Sequence, residues 1–135
     1  MKRNTQIATG MISHIRVIYL EDKSAFAASI GSSLTERGFT TEVFNESAEQ
    51  IEAIDGVVLF HENHNFDRHI AELRDLFDKR QVATHKIDMS GTMNVALSHL
   101  SLFFDRIKCK NVLFLGSENL KDNPKLEIFK EKWHL

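Results

Sequence analysis

Five short apolar runs punctuate the chain, at residues 14–20, 40–44, 56–60, 82–87 and 111–115, and each reads as a strand. The first, third and fifth contain nearly unbroken apolar stretches, IRVIYL, VVLF and VLFL. Unbroken runs suit strands covered on both faces, as in a parallel sheet; a half-exposed strand alternates instead. Between the runs the period changes. In the window 23–37, Phe26, Ile30 and Leu34 recur at four-residue spacing and form one helical stripe, which Gly38 closes as a left-handed cap. A short second helix over 47–54 opens with Ser47 and Gln50, the spacing of a capping box. A third over 67–80 turns Ile70, Leu73 and Phe77 inward, and a fourth over 92–107 turns Met93, Leu97, Leu100, Phe104 and Ile107 inward. A fifth starts at Asn123-Pro124, a cap residue followed by proline at the first helical position, with Leu126, Phe129 and Trp133 as its docking face.

Strands alternating with helices predict a three-layer α/β sandwich around a five-stranded parallel sheet, because right-handed crossovers place the helices on both faces. The usual strand order for this pattern is 2-1-3-4-5. The fourth run fits that order badly: Thr84, His85 and Lys86 are polar for an interior strand and pull it toward an edge. Residues 1–12 show no periodicity and are expected to form a loose tail ahead of one domain spanning 13–135.

Composition narrows the function classes. Seventeen basic and 19 acidic residues give a net charge of -2 without a basic stripe, which argues against a nucleic-acid partner. No run approaches the ~20 apolar residues of a membrane span, and the start Met1-Lys2-Arg3 is not followed by a signal-like apolar segment. Cys109 is the only cysteine, so no disulfide closes within the chain, and a reducing, cytoplasmic setting is expected.

Ligands of open parallel sheets bind at the carboxyl ends of the strands, near the point where strand order reverses. With the first and third strands flanking that point, the residues delivered are Glu21 and Asp22, then His61, Glu62 and His64. Asp88, Ser90, Gly91 and Thr92 follow the fourth strand, and Ser117 the fifth. Glu21, Asp22 and His61 are candidate ligands of a divalent metal, Mn²⁺ or Zn²⁺ rather than Mg²⁺, because imidazole suits the softer ions. Their spacing matches no established zinc motif. Ser90-Gly91-Thr92 opens a helix and offers free backbone N–H groups to an anion. Ser90 or Ser117 beside His61 would make a nucleophile and its base. His69 continues a cluster with His61 and His64, but a helix starting near residue 66 is expected to point it away from the strand ends. If His61 faces the acidic pair, its pKa lies above about 6.5. Cys109 falls just before the fifth strand, at the opposite end, and reads as structural.

The stretch Val17-Ile18-Tyr19-Leu20-Glu21-Asp22-Lys23-Ser24-Ala25-Phe26 resembles the first strand and acidic pair of response-regulator receiver domains. Leu34 with Gly38-Phe39, and Asp55-Gly56-Val57-Val58-Leu59-Phe60-His61, resemble the same family, with His61 at the place of its phospho-accepting aspartate and Ser90 at that of its switch hydroxyl. The likeness covers residues 14–118 and implies a flavodoxin-like fold. The acceptor aspartate is absent, and Leu115-Gly116-Ser117-Glu118 stands where the family carries lysine-proline. A more distant likeness is to the Toprim fold, but His61-Glu62-Asn63-His64 replaces its DxD pair. The resemblance therefore implies a degenerate signalling or protein-interaction module that works without phosphorylation, and whether the chain is an enzyme stays open, with the balance against it. A second stripe on the fourth helix, Val95, His99 and Leu102, is the expected surface for a protein partner, a second copy included. The alternative is a small-ligand or metal-binding enzyme using the strand-end pocket.

Overall fold

The computed structural model describes residues 14–22 and 24–133, so the expected tail at 1–12 lies outside the described residues. The elements run β1 (Val17–Glu21), α1 (Ala25–Glu36), β2 (Thr41–Phe44), α2 (Ala48–Ala53), β3 (Gly56–His61), α3 (Arg68–Lys79), β4 (Ala83–Asp88), α4 (Met93–Ile107), β5 (Asn111–Gly116), a 3-10 turn (Glu118–Asp122) and α5 (Pro124–Lys132). All five strands and five helices read from the hydrophobic pattern are present; the 3-10 turn is additional.

Side-chain caps set several helix starts. Ser24 accepts from the Ala27 amide (3.1 Å) and Asn123 from the Lys125 amide (2.8 Å). Ser47 accepts from the Gln50 amide (3.2 Å), the first half of the expected capping box. The second half is not made: the Gln50 side chain accepts from Asn45 (2.8 Å) rather than reaching Ser47.

The sheet is wholly parallel and ordered β2-β1-β5-β3-β4. The α/β class is as expected, but the order 2-1-3-4-5 is not: β5 is inserted between β1 and β3. Burial explains the change. β3 is buried along its whole length, and β5 from its second residue on. β2 and β4 keep most of their residues partly or fully exposed. An interior strand has neighbours on both sides and helices on both faces, so the three most apolar strands take the middle. The polar Thr84-His85-Lys86 run lands on an edge, as its composition demanded.

Two cores fill the spaces between layers. On one face, Phe26, Ile30 and Leu34 of α1 meet Leu100 and Phe104 of α4 and Phe129 of α5. On the other, Ile70, Leu73 and Phe77 of α3 pack with Ile54 against Val57, Leu59, Leu113 and Leu115. Of the α4 residues expected inward, Ile107 is instead exposed at the helix end, and Phe103 is buried. Cys109 is buried in the first core, and its Sγ lies where a Cβ on Gly56 would come within 2.7 Å. Burial, with Asp55 adding to it, raises its pKa to about 12, so it stays a protonated thiol. Among the described residues no helix is long and apolar enough to cross a membrane.

Phe60 is the hub of the first core, with ring centroids 5.1 Å from Phe26, 5.6 Å from Phe114 and 5.3 Å from Phe129. Truncation leaves a cavity that three rigid rings fill poorly. Phe60→Ala is expected to cost roughly 3–5 kcal/mol, read as a lowered urea midpoint with unchanged slope. A loss below about 1 kcal/mol would show that the aromatic cluster is not a shared core.

Candidate functional site

At the carboxyl edge of the sheet, β5 separates the end of β1 from the end of β3. Glu21 and Asp22 are therefore not brought beside His61, and the expected Glu21-Asp22-His61 metal set does not form. Two separate clusters stand in its place, one at β1–β2 and one at β3–β4.

The first cluster gathers Glu21, Glu46 and His69. Glu21 is the last residue of β1 and is largely buried. Glu46 follows β2 in a left-handed backbone conformation (φ 59°). His69 lies in the first turn of α3, and its Nε2 is 3.0 Å from Glu21 Oε2 and 3.2 Å from Glu46 Oε2. The expectation that His69 points away from the strand ends fails for a topological reason. The start of α3 is tied to the end of β5: the Asp67 amide donates to Ser117 Oγ (3.1 Å), and the Glu118 amide donates to Asp67 Oδ2 (3.3 Å). Because β5 adjoins β1, this anchor carries the first turn of α3 to Glu21. Burial raises the pKa of Glu21; His69 opposes that rise by charge and hydrogen bond, while Glu46 and Asp67 add to it.

The second cluster is built on the turn from Glu62 to Asn65. Its central residues Asn63 and His64 both have positive φ (49° and 63°), the geometry of a tight primed turn, and Glu62 bridges to Asn65. The His64 amide donates to His61 Nδ1 (3.0 Å), which places the proton of neutral His61 on Nε2. The two rings stack at 4.8 Å. Asp88, opposite His61 in the ladder, accepts from Ser90 Oγ (2.6 Å), the Ser90 amide (2.9 Å) and the Asn63 amide (3.2 Å). The Ser90 hydroxyl bond is the main reason its pKa falls to about 2, against desolvation; the two amides and His61 reinforce it. Ser90 is thus bonded to Asp88 and Asn63, and Ser117 accepts from Asp67. Neither serine hydrogen-bonds His61 among the described residues, so the nucleophile–base pair is not assembled.

The remaining candidates are dispersed. Asp22 is exposed in the turn after β1. Thr92 caps α4 without a side-chain bond, and the Gly91 carbonyl accepts from the Lys125 ammonium. At the start of α1, the Glu118 carboxylate accepts from the Ala25 amide (2.7 Å), so the protein's own carboxylate sits where an anion would dock. Val95 and Leu102 are 53% and 59% exposed on α4, and His99 is exposed beside them. The pattern reading missed Glu46, which no motif marks. His69 becomes legible as a member of the cluster only once the strand order is known.

No protein-family model matches the chain, and no curated protein matches it. Among solved structures it is similar to the crystal structure of a "putative molybdenum carrier protein" from Syntrophus aciditrophicus SB. The superposition has a TM-score of 0.66 at 9% sequence identity and covers 90% of this chain and 96% of that one. At that identity the likeness establishes the fold alone. That protein belongs to a different family from the response-regulator receivers, so the receiver resemblance does not hold. The inserted β5 also removes its structural basis, the acidic pair beside the third strand.

His61 was expected to titrate high; burial instead lowers its pKa, with His64 and Lys86 helping and Asp88 opposing. His85 is lowered as well, by burial and then by His99 and Arg106. A histidine with a depressed folded pKa binds fewer protons folded than unfolded between the two values, so stability rises with pH there. Its contribution is complete above about 6.5 and is lost as pH falls toward the folded pKa. An NMR titration is expected to give His61 a pKa below about 6.5, and His61→Gln to flatten the loss of urea stability between pH 7.5 and 5. A measured value above the ordinary one would contradict the buried setting.

Proposed function

We propose that this protein binds a divalent transition-metal ion at the carboxyl edge of its sheet, through Glu21, Glu46 and His69. The carrying observation is that three elements distant in sequence each bring one ligand atom to a common point, all within 4.8 Å of one another. Ligand atoms about 2.1 Å from a metal lie roughly 3.0–3.4 Å apart in octahedral or tetrahedral geometry. The His69 contacts of 3.0 and 3.2 Å match that spacing. Nε2 of His69, which bridges the two carboxylates, is the atom that would coordinate. One imidazole and two carboxylates suit Zn²⁺, Mn²⁺ or Fe²⁺ better than Mg²⁺. Three protein ligands leave positions for water or a small ligand, the arrangement of a binding or transfer site rather than a closed structural one.

The structural neighbour's description as a molybdenum carrier also concerns a metal, but molybdenum handled as molybdate is an oxyanion. Glu21, Glu46 and Glu118 present negative charge at this edge, which supports a cation. The reading is of a metal-binding protein in a cytoplasmic setting, not of an enzyme.

Zn²⁺ or Mn²⁺ at about 100 times its Kd is expected to stabilise the fold by ~2.7 kcal/mol, a thermal shift of roughly 10 °C. His69→Ala is expected to abolish the shift at the same concentration, and Mg²⁺ and molybdate to give none. Affinity is expected to fall with acidification, because protons compete with the metal for its ligand atoms. An equal shift in wild type and His69→Ala, or no shift at millimolar metal, would reject the site.

The exposed stripe of Val95, His99 and Leu102 supports a separate proposal, a homodimer through α4. Light scattering is expected to show a dimer that Leu102→Glu dissociates; a wild-type monomer at micromolar concentration overturns it.

A further inference from the structure

Beside the outer edge of the sheet runs an open groove of about 890 Å³, between α1 and β2. Its origin is local. A Cβ on Gly31 would come within 2.9 Å of Leu20 Cδ1, so α1 sits low on β1 at this point. Seated there, α1 leaves β2 uncovered. Thr41 and Val43, level with Ile18 and Leu20 in the ladder, face the α1 side of the sheet. They form the floor, and Val43 is 55% exposed. Small α1 residues, Ala28, Ser32 and Thr35, form the wall.

Charge supplies the specificity. Asp22 and Glu118 line the groove where α1 begins, and Glu36 lines it where α1 ends; Glu21 and Glu42 also border it, but they alternate with Leu20, Thr41 and Val43 along the strands, so their side chains turn to the α3 face. These carboxylates give the groove an acidic rim at each end of α1.

We propose that this groove takes a short extended segment of a partner protein, with lysine or arginine at both ends and an apolar residue between them. α1 has 12 residues, a length of about 18 Å. An extended chain rises about 3.3 Å per residue, so basic residues roughly five or six apart reach both acidic ends. The segment lies on the sheet face rather than extending the sheet. The Gln50 side chain already donates from Nε2 to the Val43 carbonyl (3.0 Å) and accepts at Oε1 from the Asn45 amide (2.8 Å), closing the end of the outer edge to another strand. The proposal goes beyond the metal reading and uses none of its three ligands, whose carboxylates and imidazole meet on the α3 side.

The test uses the full chain, in EDTA, and a fluorescein-labelled octapeptide Lys-Lys-Thr-Val-Ile-Val-Lys-Lys. Anisotropy is expected to give saturable binding in 50 mM salt, weakened in 500 mM, with none to the glutamate counterpart of the peptide. Glu36→Lys with Val43→Lys, both at exposed positions, is expected to weaken binding about tenfold. Amide shifts on peptide addition are expected at Ala28, Ser32 and Val43. No binding at millimolar peptide, unchanged affinity in the double variant, or shifts centred on α4 would each overturn the proposal. So would equal competition by spermidine, which would mark a charge trap without an apolar contact. Because EDTA is present and the metal reading is scored on His69→Ala, either proposal can fail alone.

Discussion

Competition for the middle of one sheet decides everything else in this protein. A strand buried on both faces must be apolar along its length, and three strands qualify: β1, β3 and β5. They occupy the centre as β1-β5-β3, and the mixed-polarity β2 and β4 take the edges. Exchanging β4 for β5 would bury His85 and Lys86 without partners while exposing Leu113 and Leu115. Burying a polar group unpaired costs on the order of 1–3 kcal/mol, and exposing a large aliphatic side chain forfeits a similar amount. The order therefore follows from composition once all five strands are compared together.

The inserted strand redistributes the chemistry of the carboxyl edge. Ser117 and Glu118, at the end of β5, become the ties for the starts of α3 and α1 respectively. The first tie delivers His69 to Glu21. The second fills the amino end of α1 with a carboxylate, which removes an obvious place for an anion. His61, left on the far side of β5, is buried against His64 and Phe66 and is held in one tautomer by the backbone of a strained turn. Its environment keeps it neutral, which suits a structural role in shaping the β3–α3 turn.

Much of this was legible from the chain. Element existence and type followed from the apolar periods, and the inward residues of α3 and α5 followed residue by residue. What was not legible was adjacency. The first strand and its acidic pair look the same whether β3 or β5 lies alongside, and local patterns do not encode a neighbour. One signal was present: the polar Thr84-His85-Lys86 run contradicts an interior fourth strand. Followed through, it would have moved β4 outward, opened an interior place for β5 and separated Glu21 from His61. Glu46 carried no such signal, because it reaches the cluster through a left-handed backbone turn in a residue type that seldom adopts one.

Glu21 stands at the sheet edge between the two proposed sites, its carboxylate turned to His69 and Glu46, so the sites interact only through charge across that edge. Burial and the neighbouring acids Glu46 and Asp67 raise its pKa, so its charged form is the costly one unless a cation is near. A metal ion between Glu21, Glu46 and His69 would supply that cation and would also cancel negative charge at one end of the α1–β2 groove. A basic segment in the groove would add positive charge across the sheet edge and repel the metal. Coupling free energies are reciprocal, so whichever effect dominates must appear with equal size in both affinities. With like-signed ligands the sign is negative: metal and basic segment would each weaken the other's binding.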